Sequence, residues 1–255
     1  MSGIMLLFAG LFLPLFPLSM VFNGLFGQMQ HRTLRIALLL IWPQIGVALV
    51  VASGMEVPGW LLVWALLTAI FYGFRALVLR EVSLWISFIA TSVWAVMWLV
   101  IGSQGVGWYE LAKYALGFSL PLVLLLLLSG ELEQRFGAAY TGLYNGLAQS
   151  LPRLSWLIVM VVLAVIATPL FPAFPAVMAA MLNVAPDSFM MALMLSIAWF
   201  MWGWAGARLI QGLLIGEENQ TVTAQTDMSV GKAWIYAVGL VVMALSGISM
   251  TGGLA

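Results

Sequence analysis

The segment "ATPLFPAFPAVMAAML" (Ala167–Leu182) contains three prolines, Pro169, Pro172 and Pro175, and no charged residue. A proline in a helix interior removes one backbone hydrogen bond and clashes with the preceding turn, which costs about 3 kcal/mol or more. In lipid the cost rises, because no water is present to satisfy the freed carbonyl groups. The segment therefore predicts either two crossing helices that meet at the prolines or a single span that is broken in the middle.

The composition of the whole chain is that of a polytopic membrane protein. Of its 255 residues, 64% are hydrophobic and 7% are charged, whereas a soluble domain carries about 25% charged residues. The net charge is zero and there is no basic run, so nucleic acid is excluded as a partner. The chain has no cysteine and a single histidine, His31, so we expect no disulfide, metal site or cofactor.

We expect no enzymatic activity from this chain. It contains no phosphate-binding, serine-hydrolase or zinc-protease motif in a suitable context, and no histidine falls within a predicted span. The apolar N-terminus has neither preceding basic residues nor a cleavage site, so we interpret it as a first span and not as a signal peptide. The chain has twelve tryptophans and sixteen methionines. We interpret tryptophans at helix ends as belts at the membrane interfaces and methionines in cores as flexible filler, and neither as a cofactor-binding stripe.

About 20 apolar residues are needed to cross the hydrocarbon core. This length predicts helices at about 3–26, 34–54, 58–79, 82–102, 108–130, 151–168, 171–184, 188–215 and 230–250. The sixth and seventh helices flank the prolines, and the seventh is too short to span alone, so we expect eight or nine spans. No linker divides the chain, and residues 1–255 are therefore expected to form one all-α transmembrane domain.

The placement of the cationic residues depends on the number of spans. With eight spans, one face of the membrane carries Arg32, Arg35, Arg75, Arg80, Arg135, Arg153, Arg208 and Lys232, and the other carries Lys113. With nine spans, Arg208 and Lys232 change sides. Both counts place the loop around Arg32 in the cytoplasm by the positive-inside rule, and the rule favours eight.

Ionisable residues within spans are candidates for function, because an inserted charge costs about 2.5–3.5 kcal/mol. Most of them lie near helix ends, where interface anchoring or local pairing explains them: Arg75, Arg80, Glu81, Glu110, Lys113, Glu131 and Glu133. Arg208 lies about two turns before the end of a long predicted helix. It is the strongest candidate for a buried role.

Seven segments carry a more specific pattern when they are read in order. They are "PLFPL" (Pro14–Leu18), "PQIG" (Pro43–Gly46), "ALVLREVSLWISFIA" (from Ala76), "FSLPLVLLLLLSGELEQRFG" (Phe118–Gly137), "NGLAQSLPRL" (Asn145–Leu154), "ATPLFPAFPAVM" (Ala167–Met178) and "WAGARLIQGLLIGE" (Trp204–Glu217). Their order and spacing resemble those of the antiporter-like subunits of respiratory complex I and of Mrp-type cation/proton antiporters. The family's counterparts include "ALVQRDIKRLLAYSS", "HALFKALLFLLAGALERRTG" and "AAYMLRLLQRVFFGE".

The resemblance implies a bundle of eight or nine transmembrane helices that corresponds to the second half of the antiporter-like subunit fold. The chain would be a short relative that lacks the family's first half. Pro169, Pro172 and Pro175 would then mark the family's discontinuous helix. Its irregular backbone is tolerated in a membrane where it faces protein or a polar cavity.

The resemblance also implies that most of the family's proton-relay residues are absent. The family's glutamate beside the proline break falls on Val177, and the lysine of its first broken helix falls on Gln44, or on Pro43 if the register shifts by one. Three further relay positions fall on Ser83, Phe118 and Leu122. Because a proton wire needs titratable or water-holding groups every few ångströms, we expect the scaffold to be kept and the relay to be lost.

Three functions fit this pattern. The leading hypothesis is an accessory membrane subunit of a proton- or cation-coupled complex, related to complex I, Mrp antiporters or inorganic-carbon uptake systems. It would pack in the bilayer on a full-length antiporter-like partner, in a bacterial inner membrane. The second is conduction of protons or sodium ions along a relocated path through Gln44, Ser83, Ser119 and Arg208. The third is an assembly factor without a transport role.

Overall fold

The chain folds into a bundle of α-helices, as predicted. A computed structural model describes residues 2–102, 107–143, 146–217 and 225–251. Within them the helices are α1 (Ser2–Phe12), α2 (Ser19–Gln28), α3 (Arg32–Ser53), α4 (Gly59–Ala76), α5 (Val82–Ile101), α6 (Trp108–Phe136), α7 (Leu147–Ser150), α8 (Pro152–Val165), α9 (Ala173–Val184), α10 (Phe189–Leu214) and α11 (Val230–Thr251). One antiparallel bridge, between Glu81 and Tyr140, is the only β-pairing in this part of the chain.

Six helices, α3 to α6, α10 and α11, are long and apolar enough to cross a membrane. Helices α1, α8 and α9 are apolar but shorter. The chain is therefore a multi-pass membrane protein. From α3 onward, the bounds of the long helices and of α8 and α9 lie within about three residues of the predicted bounds, except that α6 continues to Phe136.

The first predicted helix, at about 3–26, is wrong as a continuous element. Helix α1 ends at Phe12 and α2 begins at Ser19. Pro14 and Pro17 lie between them, and a proline has no N–H with which to continue the helical hydrogen bonds. The backbone turns instead, with the Leu15 N–H donating to the carbonyl of Gly10 at 2.9 Å.

Tryptophan side chains satisfy the carbonyl groups that this interruption leaves without helical partners. The indole Nε1 of Trp98 donates to the Leu13 carbonyl at 2.9 Å, and that of Trp42 donates to the Leu11 carbonyl at 3.1 Å. Two further bonds run from Trp64 Nε1 to the Phe16 carbonyl (2.8 Å) and from the Phe16 N–H to Thr68 Oγ1 (3.2 Å). Side chains of α3, α4 and α5 therefore replace the water that a bilayer cannot supply.

The prolines between α8 and α9 occupy positions where a missing N–H costs little. Pro169 lies in a turn, Pro172 directly precedes α9, and Pro175 lies in its first turn. The first N–H groups of a helix have no intrahelical acceptor, so proline removes no helical bond there. Trp199 Nε1 donates to the Ile166 carbonyl at 3.0 Å. A tryptophan thus serves the same purpose at both interruptions.

Two glycines allow neighbouring helices to contact the backbone of this second interruption directly. A Cβ atom placed on Gly117 of α6 would lie 2.6 Å from the carbonyl oxygen of Pro172. A Cβ atom placed on Gly247 of α11 would lie 2.6 Å from the carbonyl oxygen of Leu170 and 2.7 Å from the carbonyl carbon of Phe171. Any larger residue would push α6 or α11 away from the interruption.

Helix α5 lies at the centre of the bundle, where α4 and α6 pack against it together with α2 and α9. Five of the twelve tryptophans are buried inside the bundle and so do not contribute to interface belts: Trp42, Trp85, Trp94, Trp98 and Trp202. Six others are exposed: Trp60, Trp64, Trp108, Trp156, Trp204 and Trp234. The buried indoles combine large apolar surface with an N–H that can serve as an internal donor.

Contacts between helix ends show at which end of the bundle α8 begins and at which end α9 terminates. At one end, the N–H of Arg153 at the start of α8 donates to the carboxylate of Asp227, just before α11, at 2.9 Å. At the other end, Asn183 Nδ2 of α9 donates to the Leu99 carbonyl of α5 at 2.5 Å. Helices α8 and α9 therefore lead, one after the other, from one end of the bundle to the other.

Replacement of Trp98 by phenylalanine is expected to lower the free energy of unfolding, because the buried Leu13 carbonyl would lose its donor. The matched control is Trp85→Phe on the same helix, since Trp85 is equally buried but its Nε1 has no partner among the described residues. The Trp98 variant should lose about 1–3 kcal/mol more than the control. Denaturant unfolding in detergent, followed by circular dichroism, measures the difference; equal losses would contradict the assigned role.

Gly247→Ala is expected to destabilise the protein by about 1–3 kcal/mol, because the added methyl group would overpack against the carbonyl of Leu170. Gly239→Ala on the same helix is the matched control, since no atom lies within 4 Å of a Cβ placed there. The control should be neutral or slightly stabilising. Thermal unfolding of the two variants side by side tests the contact, and equal midpoints would show that it does not matter.

Candidate functional site

Three of the positions at which the resemblance places proton-relay groups hold buried apolar side chains. Val177 on α9 and Leu122 on α6 have no exposed surface, and Phe118 is 2% exposed. The ring of Phe118 packs edge-to-face on that of Trp202, with 6.4 Å between the centroids. None of these side chains can hold or pass a proton.

The polar candidates Gln44, Ser83 and Ser119 each bond to a different part of the bundle. The bonds run from Gln44 Nε2 to the Ala112 carbonyl (3.1 Å), from Arg35 Nη1 to Ser83 Oγ (2.6 Å) and from Trp94 Nε1 to Ser119 Oγ (3.2 Å). No hydrogen bond joins any two of the four candidates, Arg208 included. The four side chains therefore form no directly hydrogen-bonded chain.

The expectation of a buried role for Arg208 is wrong. Ala205, Gly206 and Leu209 are the buried residues of this part of α10, and Arg208 lies outside that face and is exposed. Its side chain lines a cavity of about 700 Å³ together with Arg80 from the loop after α4. The position of Arg208 along the helix follows from the sequence, but the face of the helix on which it lies does not.

Sequence reasoning missed a group of neutral polar contacts between α2, α4 and α5. Asn23 Nδ2 donates to Thr91 Oγ1 at 3.1 Å and to the carbonyl of Ser19 at 3.0 Å. The hydroxyl groups of Ser19 and Tyr72 are 2.8 Å apart. Each residue is common in helices and none is charged, so only the packing of the three helices reveals the group. It ties α2 to the centre of the bundle without an ionised side chain.

Sequence reasoning also missed the contacts of Arg35, which lies in the first turn of α3. Its Nε donates to the carbonyl of Met29 at 2.7 Å, and its guanidinium lies 5.4 Å from the ring centre of Phe26. Together with the bond to Ser83, these contacts hold the end of α2 against α3 and α5. The only sequence signal is a basic residue at a helix start, which is also the pattern of an ordinary interface anchor.

The ion pairs among the described residues form at one end of the bundle. Glu131 of α6 is the only charged residue that is buried within the described part of the chain. Its carboxylate oxygens accept from Arg135 Nη1 at 2.9 Å and from Lys232 Nζ of α11 at 3.3 Å. Glu133 lies 3.9 Å from Arg32 Nη2, with both side chains partly exposed. These pairs join α3, α6 and α11, and the described residues contain no acidic or histidine cluster that could hold a metal ion.

Glu131→Ala is expected to lower the free energy of unfolding by about 1–3 kcal/mol, because two cations would lose a buried acceptor. The matched control is Glu133→Ala, whose longer and more exposed ion pair should contribute about 0–1 kcal/mol. Denaturant unfolding of both variants at low salt measures the two losses. A larger loss in the control would show that the buried carboxylate does not hold α6 and α11 together.

No family model and no curated protein matches the chain. Solved structures of membrane complexes do match it. A chain of respiratory complex I from Thermus thermophilus with bound NADH matches with a TM-score of 0.79 and 23% sequence identity, over 96% of this chain and 53% of that one. A chain of the Mrp complex from Dietzia sp. DQ12-45-1b matches with a TM-score of 0.84 and 13% identity, over 99% and 56%.

A third match is to the membrane-bound sulfane sulfur reductase, an archaeal respiratory membrane complex. The TM-score is 0.79 and the sequence identity 16%, over 96% of this chain and 51% of that one. The chain thus spans about half the length of the chains it matches. At these identities the likeness concerns the fold, and at that level the predicted resemblance is confirmed: this chain has the fold of about half of a chain from complex I, from an Mrp complex and from a respiratory sulfur reductase.

Proposed function

We propose that this chain is a non-enzymatic accessory membrane subunit of a proton- or cation-coupled complex. The observation that carries the proposal is the combination of the fold with apolar side chains at the relay positions. Val177, Phe118 and Leu122 fill the interior where the resemblance expects titratable groups. A chain built this way supports or seals an ion path more readily than it conducts, because conduction needs groups that exchange protons near neutral pH.

The proposed partner is a full-length antiporter-like subunit in the same membrane. Helices α4 and α10 expose large apolar side chains along their outer faces, among them Phe74, Trp60, Phe200 and Phe189. Such faces fit lipid or the helices of another subunit, and neither kind of neighbour requires charge. In this arrangement the chain would shape or seal a half-channel of its partner.

The proposed topology has eight spans, in which α1–α2 and α8–α9 each make one crossing. Helices α8 and α9 together would form the discontinuous helix around Pro169, Pro172 and Pro175. The contacts that place the start of α8 near α11 and the end of α9 near α5 support this count. It leaves Lys113 as the only basic residue at its end of the bundle, which by the positive-inside rule places the opposite end in the cytoplasm of a bacterial inner membrane.

The experiment is purification of the tagged chain from its native membrane in mild detergent, with mass spectrometry of every co-eluting protein. We expect a full-length antiporter-like subunit in stoichiometric amount. Recovery of the chain alone would contradict the accessory role, and recovery with unrelated membrane proteins would contradict the choice of partner.

Reconstitution in liposomes that contain a pH-sensitive or a sodium-sensitive dye then tests whether the chain conducts ions or only seals a path. The chain alone is expected to give no proton or sodium flux above that of empty liposomes. The matched variants are Gln44→Leu and Ser119→Ala, which should leave both flux and complex assembly unchanged, because each side chain bonds only within the bundle. A flux that disappears in Gln44→Leu would instead support the relocated path.

A further inference from the structure

A cavity of about 700 Å³ opens at the end of the bundle where α4 and α10 terminate. Its walls come from the loop between α4 and α5, the residues after α6 and the last turns of α10. Two arginines, Arg80 and Arg208, line it together with the polar residues Gln211 and Thr141. A volume of this size is within the range of small-molecule sites, about 300–1,000 Å³.

Backbone hydrogen bonds hold the walls of this cavity in place. The N–H of Thr141 donates to the carbonyl of Arg80 at 2.8 Å, and the N–H of Gly142 donates to the carbonyl of Gly212 at 2.8 Å. Gly212 of α10 also lets the chain after α6 approach closely, since a Cβ there would lie 2.9 Å from Cβ of Thr141. The loop that carries Arg80 is therefore fixed relative to α10, which carries Arg208.

The two arginines of the cavity lack the partners that other arginines have. The guanidinium groups of Arg35, Arg135 and Arg153 donate hydrogen bonds to described residues. The side chains of Arg80 and Arg208 have neither a hydrogen bond nor an ion pair with any residue in the described ranges, and no carboxylate belongs to the described lining. Two cations therefore share one cavity without a counter-ion from the described chain.

The nearest acidic residue in the sequence is already engaged. The carboxylate of Glu81 accepts a hydrogen bond from the Tyr140 hydroxyl at 3.2 Å, and its negative charge raises the pKa of that hydroxyl. Glu81 itself is not among the residues that line the cavity. The chemistry of the cavity thus fits an anion, and a guanidinium group can bind two oxygens of a phosphate in a bidentate manner.

The rim of the cavity is apolar. Val78 and Ile215, which also line it, are 66% and 64% exposed. A phospholipid fits such a cavity, because its phosphate can bind the polar lining while its acyl chains contact the apolar rim. A soluble anion would make no favourable contact with that rim. We propose that Arg80 and Arg208 bind the phosphate of an anionic phospholipid whose acyl chains lie along Val78 and Ile215.

The test is a native mass spectrometry titration of the purified full-length chain, with any subunits that remain bound, using phosphatidylglycerol. We expect one tight equivalent on the wild type. Because each guanidinium would donate charge-assisted hydrogen bonds to the phosphate, Arg80→Gln and Arg208→Gln should each weaken binding by about tenfold or more. Arg75→Gln is the matched control at the same end of α4, since its guanidinium lies over Phe88 at 6.0 Å and outside the cavity.

Several outcomes would overturn the proposal. Unchanged binding by the Arg80→Gln/Arg208→Gln double variant would remove the site, and equally tight binding of phosphatidylcholine would remove the requirement for a net anionic lipid. If inorganic phosphate stabilises the protein while phosphatidylglycerol does not bind, the ligand is a soluble anion. Arg80→Lys and Arg208→Lys keep the positive charge but lack the planar guanidinium group, and they should weaken lipid binding less than the glutamine variants do. If the glutamine variants fail to fold, the lysine variants still test the site.

Discussion

The architecture of this protein depends on the satisfaction of backbone carbonyl groups where helices stop inside an apolar bundle. Lipid offers no hydrogen-bond donor, so each interruption must find its donors within the protein. Indole N–H groups supply them, from Trp42 and Trp98 at the first interruption and from Trp199 at the second. Tryptophan suits this use because its ring fills space in the core while its single N–H points at one acceptor.

The interior of the bundle is likewise held together mainly by uncharged polar groups. Asparagine, threonine, serine, tyrosine and tryptophan side chains bond to one another or to carbonyl groups, as in the contact of Asn23 with Thr91 and that of Trp202 with Ser92. The ion pairs of Glu131 and Glu133 form at one end of the bundle, where α3, α6 and α11 meet. A scaffold stabilised in this way needs few titratable residues in its interior to hold its fold. The fold by itself therefore does not assign conduction to the chain.

Sequence patterns predicted helix positions well and side-chain environments poorly. The bounds of α5 and α10 followed from hydropathy and length, because the bilayer imposes both. The interruption at Pro14 and Pro17 was missed because the residues on both sides of it and within it are apolar. Hydropathy depends on side-chain type and does not reveal a turn in the backbone. The exposure of Arg208 was missed for a different reason. A transmembrane helix is apolar on all faces, so hydrophobic periodicity does not distinguish the face that contacts protein from the face that contacts lipid.

The indoles that complete the first interruption lie later in the chain than the helices they serve. The ribosome makes α1 and α2 before Trp42 of α3, Trp64 of α4 and Trp98 of α5. Until α5 has emerged, the carbonyl of Leu13 has no indole donor, and a place in the hydrocarbon would leave it unsatisfied. Helices α1 and α2 are therefore expected to settle in the bilayer only after α5 has joined them, although they precede α5 in the chain.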